Sequence, residues 1–291
     1  MKILVLGCNG QLGQCLNDQL AITAHEVIFT SRGQIDIAEF EVTKTQILKI
    51  SPDIVINATA YTAVDKAEEE HQVADRINHL AVANIASICK QLDCWLMHVS
   101  TDYVFDGNSE VSYKEDNPTN PQGVYGESKL KGEAAIEASG CKYLIIRTAW
   151  VYSEYGNNFL KTMLQLGADR DELSIVGDQI GCPTYAQDIA KSIVCILFFI
   201  DLKDSSSGIY HYCGDEPCSW YDFARTIFLE AEVQGLKTPS YVNSIMTADY
   251  PTPAIRPAYS VLDCSKIEST FKVTRSNWRD SIKIVIDRLQ G

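Results

Sequence analysis

The N-terminal half of the chain alternates short apolar runs with longer amphipathic stretches. Five runs have the length and composition of strands: Lys2–Leu6, Glu26–Thr30, 53–57, 94–100 and 143–148. Helical patterns separate them, most clearly at Gln11–Leu20, 79–92 and 128–139. Strands that alternate with helices predict a mainly parallel sheet with right-handed crossovers and helices on both faces. We therefore predict an α/β fold, with a doubly wound parallel sheet in residues 1–152.

The alternation becomes less regular after Tyr152. Predicted helices at 158–167, 186–199 and 219–231 are interrupted by short predicted strands at 173–176 and 208–212. A stretch rich in proline and tyrosine then leads to a last predicted helix near the C-terminus. We predict that residues 153–291 form mainly a smaller α/β lobe that binds substrate, with some segments returning to the first domain.

Charge and hydropathy restrict the partners and the location of the protein. The chain of 291 residues has a formal net charge of -13, which argues against a broad basic surface for nucleic acid or an anionic membrane. Its longest central apolar run, residues 193–200, is far shorter than the roughly 20 residues of a membrane helix, and it predicts a buried helix end. No signal-peptide pattern precedes the first strand. We therefore expect a cytoplasmic protein without nucleic-acid or membrane partners.

The ten cysteines show neither a C-x-x-C pair nor an ordered Cys/His ligand spacing. We predict scattered reduced thiols and no metal site. A redox or metal role is the alternative.

Three glycines directly follow the first predicted strand. Gly7, Gly10 and Gly13 form G-x-x-G-x-x-G at the start of a helical pattern. Glycine permits a tight turn and close approach of the backbone to a pyrophosphate, and the helix N-terminus supplies N–H donors. The alternative is a glycine-rich turn without a ligand. We predict a Rossmann-type dinucleotide site that includes Gly7, Asn9, Gly10, Gln11 and Leu12.

The end of the second strand indicates which dinucleotide binds. Where NAD enzymes usually carry an acidic residue for the ribose hydroxyls, this chain has Thr30-Ser31-Arg32-Gly33. Arg32 can pair with a 2′-phosphate, although it could equally be a solvated surface residue. We predict NADPH as cofactor and leave use of NADH open. Further cofactor contacts are expected beside the adenine and after the third strand, from Asp36, Ile37, Thr59, Ala60 and Tyr61.

Two residues in the sequence V-Y-G-E-S-K are suited to acid chemistry. Tyr125 and Lys129 are four positions apart, so both side chains project from one helical face. A neighbouring ammonium favours the phenolate and makes the phenol a better proton donor near neutral pH. Thr101 ends a predicted strand at the same edge of the sheet and can hydrogen-bond a substrate carbonyl. A surface helix pair is the alternative for the tyrosine and lysine.

These three residues resemble the Ser/Thr, Tyr and Lys triad of the extended short-chain dehydrogenase/reductase superfamily. Within it, segments spread over nearly the whole chain resemble the dTDP-4-dehydrorhamnose reductase family: VINATAYTAVDKAE (55–68), VSTDYVFDG (99–107), VYGESKLKGE (124–133), RTAWVY (147–152) and YPTPAIRP (250–257). The resemblance implies NADPH-dependent reduction of the C4 keto group of dTDP-4-dehydro-L-rhamnose to dTDP-L-rhamnose. Tyr125 is then the acid, and Thr101 and Lys129 stabilise the developing charge. Tyr125 and Lys129 are also expected to contact the cofactor, with Lys129 binding the nicotinamide ribose.

The same resemblance suggests contacts with the nucleotide-sugar substrate. Trp150 offers a flat apolar wall and Arg256 a cation for the diphosphate, although a core tryptophan and a structural ion pair are the alternatives. The full set of expected substrate contacts is Thr101, Asp102, Val104, Tyr125, Trp150 and Arg256.

Some members of the family hold Mg²⁺ between subunits with glutamates, one of them at the position of Cys15 here. A thiol is a poor Mg²⁺ ligand. We therefore do not expect an identical magnesium-bridged dimer, and a homodimer without it stays open.

Several related activities compete with this interpretation. Sugar-nucleotide dehydratases resemble one another in an Asp-Glu pair after the threonine, whereas here Asp102 precedes Tyr103, so elimination lacks one acid/base group. Epimerases of the superfamily are harder to exclude. A regulatory subunit resembling methionine adenosyltransferase β would not need the complete triad. A reductase of another nucleotide-linked 4-keto-6-deoxy sugar is the strongest rival.

Overall fold

A six-stranded parallel sheet forms the centre of the computed structural model, which describes residues 1–200 and 206–291. The strands lie in the spatial order β10-β5-β4-β3-β1-β2, and they are β1 (Lys2–Leu6), β2 (Glu26–Thr30), β3 (Ile54–Asn57), β4 (Trp95–Thr101), β5 (Lys142–Thr148) and β10 (Gly208–His211). The strand order reverses direction at β1, which lies between β2 and β3. In such sheets the crevice at the carboxyl ends of the strands, beside this reversal, is the usual ligand site.

Helices cover both faces of the sheet. One face carries α1 (Gln11–Leu20) and α8 (Ala186–Ile200), and the other carries α2 (Phe40–Ile50), α5 (Ala81–Leu92) and α6 (Val124–Ser139). The side chains of β1 alternate accordingly: Ile3 and Val5 belong to the core under α1 and α8, and Leu4 and Leu6 to the core under the other three helices. A strand buried on both faces reads as a continuous apolar run, as β1 does.

Short elements connect the ends of the strands to the long helices. Helices α3 (Val64–Ala67) and α4 (His71–Asp75) and a π-helical turn (Arg76–Leu80) lie between β3 and α5. A 3₁₀ turn (Asp102–Val104) follows β4 directly.

The second lobe has its own apolar core, in which Tyr152, Phe223 and Trp278 are fully buried. Its main elements are α7 (Phe159–Asp169), β7 (Glu172–Val176), α9 (Trp220–Val233), β12 (Tyr241–Ile245) and α11 (Trp278–Gln290). Shorter elements complete the fold: β6 (Val151–Tyr152), β8 (Ile180–Gly181), β9 (Thr184–Tyr185), β11 (Cys218–Ser219) and α10 (Ser265–Phe271).

The predicted α/β class with a Rossmann-type parallel sheet is confirmed. Two segments after residue 152 return to the sheet: α8 packs on α1, and β10 pairs with β5 as the edge strand. The apolar patterns of these two segments correctly predicted a helix and a strand. They did not indicate that the helix packs on the central sheet or that the strand joins it. The exact boundary between domain and lobe, placed at residue 152, stays a prediction.

The central apolar run ends a helix, as predicted, because α8 extends to Ile200 and buries Ile193, Ile196 and Leu197. In the part of the chain that the structure describes, no helix is long and apolar enough to cross a membrane. All ten cysteines, which lie in this part, are free thiols.

Candidate active site

The glycine-rich turn between β1 and α1 leaves no room for side chains at two of its three glycines. Gly7 has a φ of +88°, and a Cβ there would lie 2.7 Å from the Thr59 Cγ2 atom. A Cβ on Gly13 would lie 2.1 Å from the Gly7 carbonyl oxygen. Both positions therefore require glycine, and the N-terminus of α1 lies directly against the end of β1.

The first turn of α1 is free to receive an anion. Gly10 is its N-cap, and among the described residues no side chain forms a hydrogen bond at this cap. Unpaired N–H groups at a helix N-terminus bind phosphate readily. Together with the glycines at positions 7, 10 and 13, which have no Cβ atoms, this arrangement fits the pyrophosphate of a dinucleotide.

The other predicted residues of this turn have different surroundings. Asn9 is exposed, whereas Leu12 is buried in the core. The Gln11 Oε1 atom accepts hydrogen bonds from the Ser153 hydroxyl and the Asn158 amide, both at 2.9 Å. The turn is thus tied to the chain segment that enters the second lobe.

Arg32 and Asp36 form an ion pair beyond β2. The Arg32 Nε atom lies 2.9 Å from Asp36 Oδ2, and the arginine side chain is 80% exposed. Burial opposes ionisation of Asp36, but hydrogen bonds from Arg32 and the Ala38 N–H outweigh it and lower the pKa of the carboxyl. The Arg32 guanidinium is exposed to an external phosphate, but its Nε atom is paired with the Asp36 carboxylate. A phosphate bound by Arg32 would therefore lie near a second negative charge.

Ile37 requires a correction. Its side chain is only 5% exposed and packs in the core with Leu4 and Leu6. It is not a surface that covers the adenine, so a cofactor contact at this position would have to use the main chain.

The residues after β3 form a hydrogen-bonded turn. The Asn57 Oδ1 atom accepts from the Thr59 N–H at 3.1 Å and from the Thr59 hydroxyl at 2.5 Å. The Tyr61 hydroxyl donates to Glu70 Oε2 at 2.6 Å, a bond that raises the pKa of Tyr61 to about 12. Ala60 is exposed between them. All three predicted residues of this segment thus follow the carboxyl end of β3, beside the glycine turn.

Two glycines in α6 bring the predicted catalytic helix close to the sheet. A Cβ on Gly126 would lie 2.2 Å from the Tyr103 carbonyl oxygen, and one on Gly132 would lie 2.2 Å from the Asn78 carbonyl oxygen. The start of α6 therefore packs against the turn that follows Thr101. This close approach places Tyr125 and Lys129 beside the carboxyl end of β4.

Thr101 is held by its neighbours. Its hydroxyl donates to Asp102 Oδ1 at 3.0 Å and accepts from the Tyr103 N–H at 3.2 Å. Asp102 is 2% exposed, and burial raises the pKa of its carboxyl to about 6, against hydrogen bonds from Ser260 and Thr101. Asp102 thus orients the threonine hydroxyl from within the protein.

The pKa of Tyr125 shifts in the direction opposite to the sequence-based expectation. Burial raises the pKa of its phenol, and a hydrogen bond with Thr101 opposes that effect only in part. The Lys129 Nζ atom instead donates to the Val99 carbonyl oxygen at 2.7 Å and lies 3.1 Å from His98 Nε2. The lysine ammonium was expected to favour the phenolate, but here burial dominates and Tyr125 keeps its proton.

A cleft of about 980 Å³ opens between the sheet and the second lobe. Asp65 and Tyr103 line it from the sheet side, and Phe159, Arg170 and Trp220 are among the residues that line it from the lobe. The Tyr103 ring meets the Tyr125 ring edge to face, with centroids 5.5 Å apart. The cleft therefore leads to the predicted acid.

Arg256 lies in this cleft, as expected for a substrate contact, but it is already paired. It donates to Asp65 Oδ2 at 2.6 Å and to the Tyr103 hydroxyl at 3.1 Å. The pair joins α3 to the proline-rich stretch before α10. The structure thus shows the ion pair that was the alternative, at the edge of the cleft that the diphosphate was expected to use.

Two further expected substrate contacts need correction. Val104 is fully buried in the core, so its side chain presents no surface to a ligand. Trp150 stacks on Trp220 with centroids 3.5 Å apart, and it is Trp220 that lines the cleft. The flat apolar wall of the cleft is therefore the Trp220 ring, and Trp150 stacks on that ring.

Sequence analysis missed Asp65, Tyr103 and Trp220. Tyr103 had a detectable signal, because it follows Thr101 within the segment that resembled the family. Trp220 begins a helix after a capping box formed by Ser219 and Asp222, which indicates a helix start and nothing about the cleft. Asp65 faces the site only because α3 folds back towards Arg256.

No cluster of three or more His, Cys, Asp or Glu residues suited to a metal ion occurs in residues 1–200 and 206–291. Cys15, whose thiol is not expected to bind Mg²⁺, is fully buried in α1. Burial raises the pKa of its thiol.

Comparison with known proteins covers the whole chain. The family model described as "RmlD substrate binding domain" matches residues 1–291. A dTDP-4-dehydrorhamnose reductase of Aggregatibacter actinomycetemcomitans is 43% identical, over 97% of this chain and 97% of its own. The enzyme of that name from Escherichia coli K12 is 38% identical, over 99% and 98% of the two chains.

Solved structures agree with these relatives. A dTDP-4-dehydrorhamnose reductase ortholog from Clostridium acetobutylicum has a TM-score of 0.93 at 39% identity and covers 100% of both chains. The Bacillus anthracis dTDP-4-dehydrorhamnose reductase, solved in complex with NADP, has a TM-score of 0.90 at 33% identity and covers 99% of both chains. The chain therefore belongs to the dTDP-4-dehydrorhamnose reductase family, whose model is described as the RmlD substrate binding domain.

Proposed function

We propose that this protein reduces the C4 keto group of dTDP-4-dehydro-L-rhamnose with NADPH and yields dTDP-L-rhamnose. The observation that carries the proposal is the arrangement of Thr101, Tyr125 and Lys129 at the carboxyl end of β4, between the glycine turn and the cleft. The full-length similarity to reductases of this substrate supports it. The protein is an oxidoreductase of the Rossmann type.

NADPH, when bound, supplies the hydride that the ketone carbon receives. The chain holds the pyrophosphate at the N-terminus of α1 and the ketone beside Tyr125. Tyr125, whose pKa is raised by burial, donates its proton to the carbonyl oxygen as charge develops there. Thr101, whose hydroxyl donates to Asp102 in the cofactor-free protein, turns this single donor to the carbonyl oxygen and so gives it a second hydrogen bond. Lys129, when charged, stabilises the phenolate that proton transfer leaves on Tyr125.

The cleft residues have a matching role in substrate binding. Arg256 would exchange its bond with Asp65 for the diphosphate of the substrate, since an arginine binds two phosphate oxygens with well-directed donors. Trp220, supported by Trp150, offers a flat apolar wall for a ring of the substrate. Both roles are proposals for this chain.

The direct test follows the loss of NADPH absorbance with dTDP-4-dehydro-L-rhamnose, made in situ from its precursor, and identifies the product by NMR. We expect rapid oxidation and dTDP-L-rhamnose as the product. Oxidation only with a different 4-keto-6-deoxy sugar would reassign the substrate. Binding of NADPH without turnover of any such sugar would favour a regulatory subunit instead.

Arg32→Ala is expected to weaken NADPH binding by about 10–100-fold, since a charge-assisted hydrogen bond contributes roughly 1.5–3 kcal/mol. NADH lacks the 2′-phosphate and serves as the internal control on the same variant. Isothermal titration with both cofactors measures the difference. An equal loss of affinity for NADH and NADPH would contradict recognition of the 2′-phosphate by Arg32.

Two sequence-based expectations stay proposals. We propose that the protein acts in the cytoplasm, as a bacterial biosynthetic enzyme, and that it forms a homodimer without a magnesium bridge. Analytical ultracentrifugation with and without Mg²⁺ tests the second. A dimer that dissociates on removal of Mg²⁺ would contradict it.

A further inference from the structure

A buried histidine lies directly behind Lys129. His98 is on β4, is fully buried, and lies between two polar side chains. Its Nδ1 atom is 3.1 Å from Asn57 Nδ2, and its Nε2 atom is 3.1 Å from Lys129 Nζ. The proposed mechanism gives His98 no function. Because both side chains are buried, the hydrogen-bond donors and acceptors of the imidazole must nevertheless be complementary to those of the lysine.

The orientation of Asn57 fixes the tautomer of His98. The Thr59 backbone N–H can only donate, and it donates to Asn57 Oδ1. The amide nitrogen of Asn57 is therefore the atom that faces His98, and an amide nitrogen can only donate. His98 Nδ1 must accept this bond, so a neutral imidazole carries its proton on Nε2.

The proton on Nε2 points at Lys129. A lysine ammonium has three donors and no acceptor, so it cannot pair with a second donor at 3.1 Å. A neutral amine has a lone pair that accepts the Nε2–H, and it can still donate to the Val99 carbonyl oxygen at 2.7 Å. Only the uncharged lysine satisfies both contacts.

We propose that His98 is a positioning residue that stabilises the neutral amine form of Lys129 in the cofactor-free protein and thereby sets the pH at which this lysine loses its charge. This inference rests on the proposed function, because that function makes the charge of Lys129 part of catalysis.

The groups around Lys129 are consistent with this role. Burial lowers the pKa of Lys129 to about 8, and Glu133, one turn along α6, opposes that effect. The Glu133 carboxylate is itself bound by Arg147 of β5, which weakens its pull on the lysine. Burial holds the pKa of His98 well below its usual range, so the imidazole is neutral. Tyr125, one turn before Lys129, keeps its proton.

The sign of the pH effect follows from these contacts. The charged lysine is present below its pKa and is lost as pH rises through it. Any change that lets the ammonium form a good hydrogen bond raises this pKa. His98→Gln does so, because the glutamine amide oxygen has two lone pairs and can accept from both the Lys129 ammonium and the Asn57 amide nitrogen.

The test uses the whole cofactor-free protein labelled with ¹³C and ¹⁵N in lysine side chains and histidine rings. The Lys129 signal is assigned by its absence in Lys129→Arg. We expect Lys129 to titrate at about pH 8 or below in the wild type and His98 to show the Nε2–H tautomer. In His98→Gln the midpoint is expected to rise by about one pH unit, a tenfold change in proton affinity.

The matched control is His211→Gln, the same substitution at another fully buried histidine. His211 bonds to the Tyr113 carbonyl oxygen, and its Nε2 atom lies 3.5 Å from Arg147 Nη1, from which the glutamine oxygen can accept in its place. It is expected to leave the Lys129 titration unchanged. A wild-type midpoint in the ordinary lysine range, a proton on His98 Nδ1, or an unchanged midpoint in folded His98→Gln would each overturn the proposal. The wild-type measurements decide it even if the variant fails to fold.

The activity profile adds a second readout. If the function is as proposed, the alkaline limb of kcat moves to higher pH in His98→Gln together with the NMR midpoint. The titration uses no substrate, so its outcome does not depend on the substrate assay. If the protein does not catalyse the proposed reaction, the wild type will show no turnover in the substrate assay. The result of the titration will not be affected.

Discussion

Tyr125→Phe is expected to lower kcat by about 10²–10⁴-fold, the usual contribution of a positioned general acid. The Tyr125 ring packs against Tyr103, which lines the cleft, and burial raises the pKa of the Tyr125 phenol. Phenylalanine preserves the ring and its edge-to-face contact with Tyr103 but removes the proton that the carbonyl oxygen must receive. Stopped-flow or steady-state oxidation of NADPH measures the loss, and NADPH binding is expected to change little.

Tyr103→Phe is the matched control, because it removes a hydroxyl from the neighbouring tyrosine in the same cleft. That hydroxyl accepts from Arg256, so its loss is expected to raise KM for the sugar nucleotide more than it lowers kcat. If Tyr125→Phe retained near-wild-type turnover, another group would have to supply the proton. Equal losses of kcat in both variants would show that the effect arises from the cleft and not from the acid.

Glu133→Ala is expected to lower the free energy of unfolding by about 3–5 kcal/mol, the usual result of removing one partner of a buried ion pair. Glu133 and Arg147 are 1% and 2% exposed, and the carboxylate accepts hydrogen bonds from the Arg147 Nε and Nη2 atoms. The variant leaves the guanidinium charged and buried beneath the catalytic helix. Urea denaturation followed by circular dichroism measures the change.

The same helix provides the control. Glu127 pairs with Lys131 at 2.8 Å, but both side chains are about half exposed, and such pairs contribute roughly 0.3–0.5 kcal/mol. Glu127→Ala is therefore expected to change the stability by less than about 1 kcal/mol. Similar losses in the two variants would mean that helix propensity, and not the buried charge, sets the effect.

The predictions that held depend on short-range patterns. The five N-terminal strands were located to within about two residues because a strand buried on both faces is a continuous apolar run. The spacing of Gly7, Gly10 and Gly13 indicated a turn that only glycine fits, and the structure shows that Gly7 and Gly13 have no room for a side chain. The four-residue spacing of Tyr125 and Lys129 indicated a shared helical face.

The predictions that failed concern which way a side chain points after a strand ends. Val104 and Ile37 lie beside residues at the site, yet both are buried. In a turn, neither the twofold nor the 3.6-fold periodicity applies, so neighbours in the sequence face different environments. Trp150 was located near the cleft, but its partner Trp220 is 70 residues along the chain, and no local pattern shows which of two stacked rings faces the ligand.

By itself, the sequence determined the α/β class, the glycine turn and the shared helical face of Tyr125 and Lys129, because each depends on residues a few positions apart. Only the tertiary structure decided that β10 joins the central sheet, that Arg256 pairs with Asp65, and that His98 touches Lys129. These contacts join residues from 31 to 191 positions apart in the chain. Each depends on burial and donor–acceptor matching in the folded protein, which leave no periodic trace in a sequence.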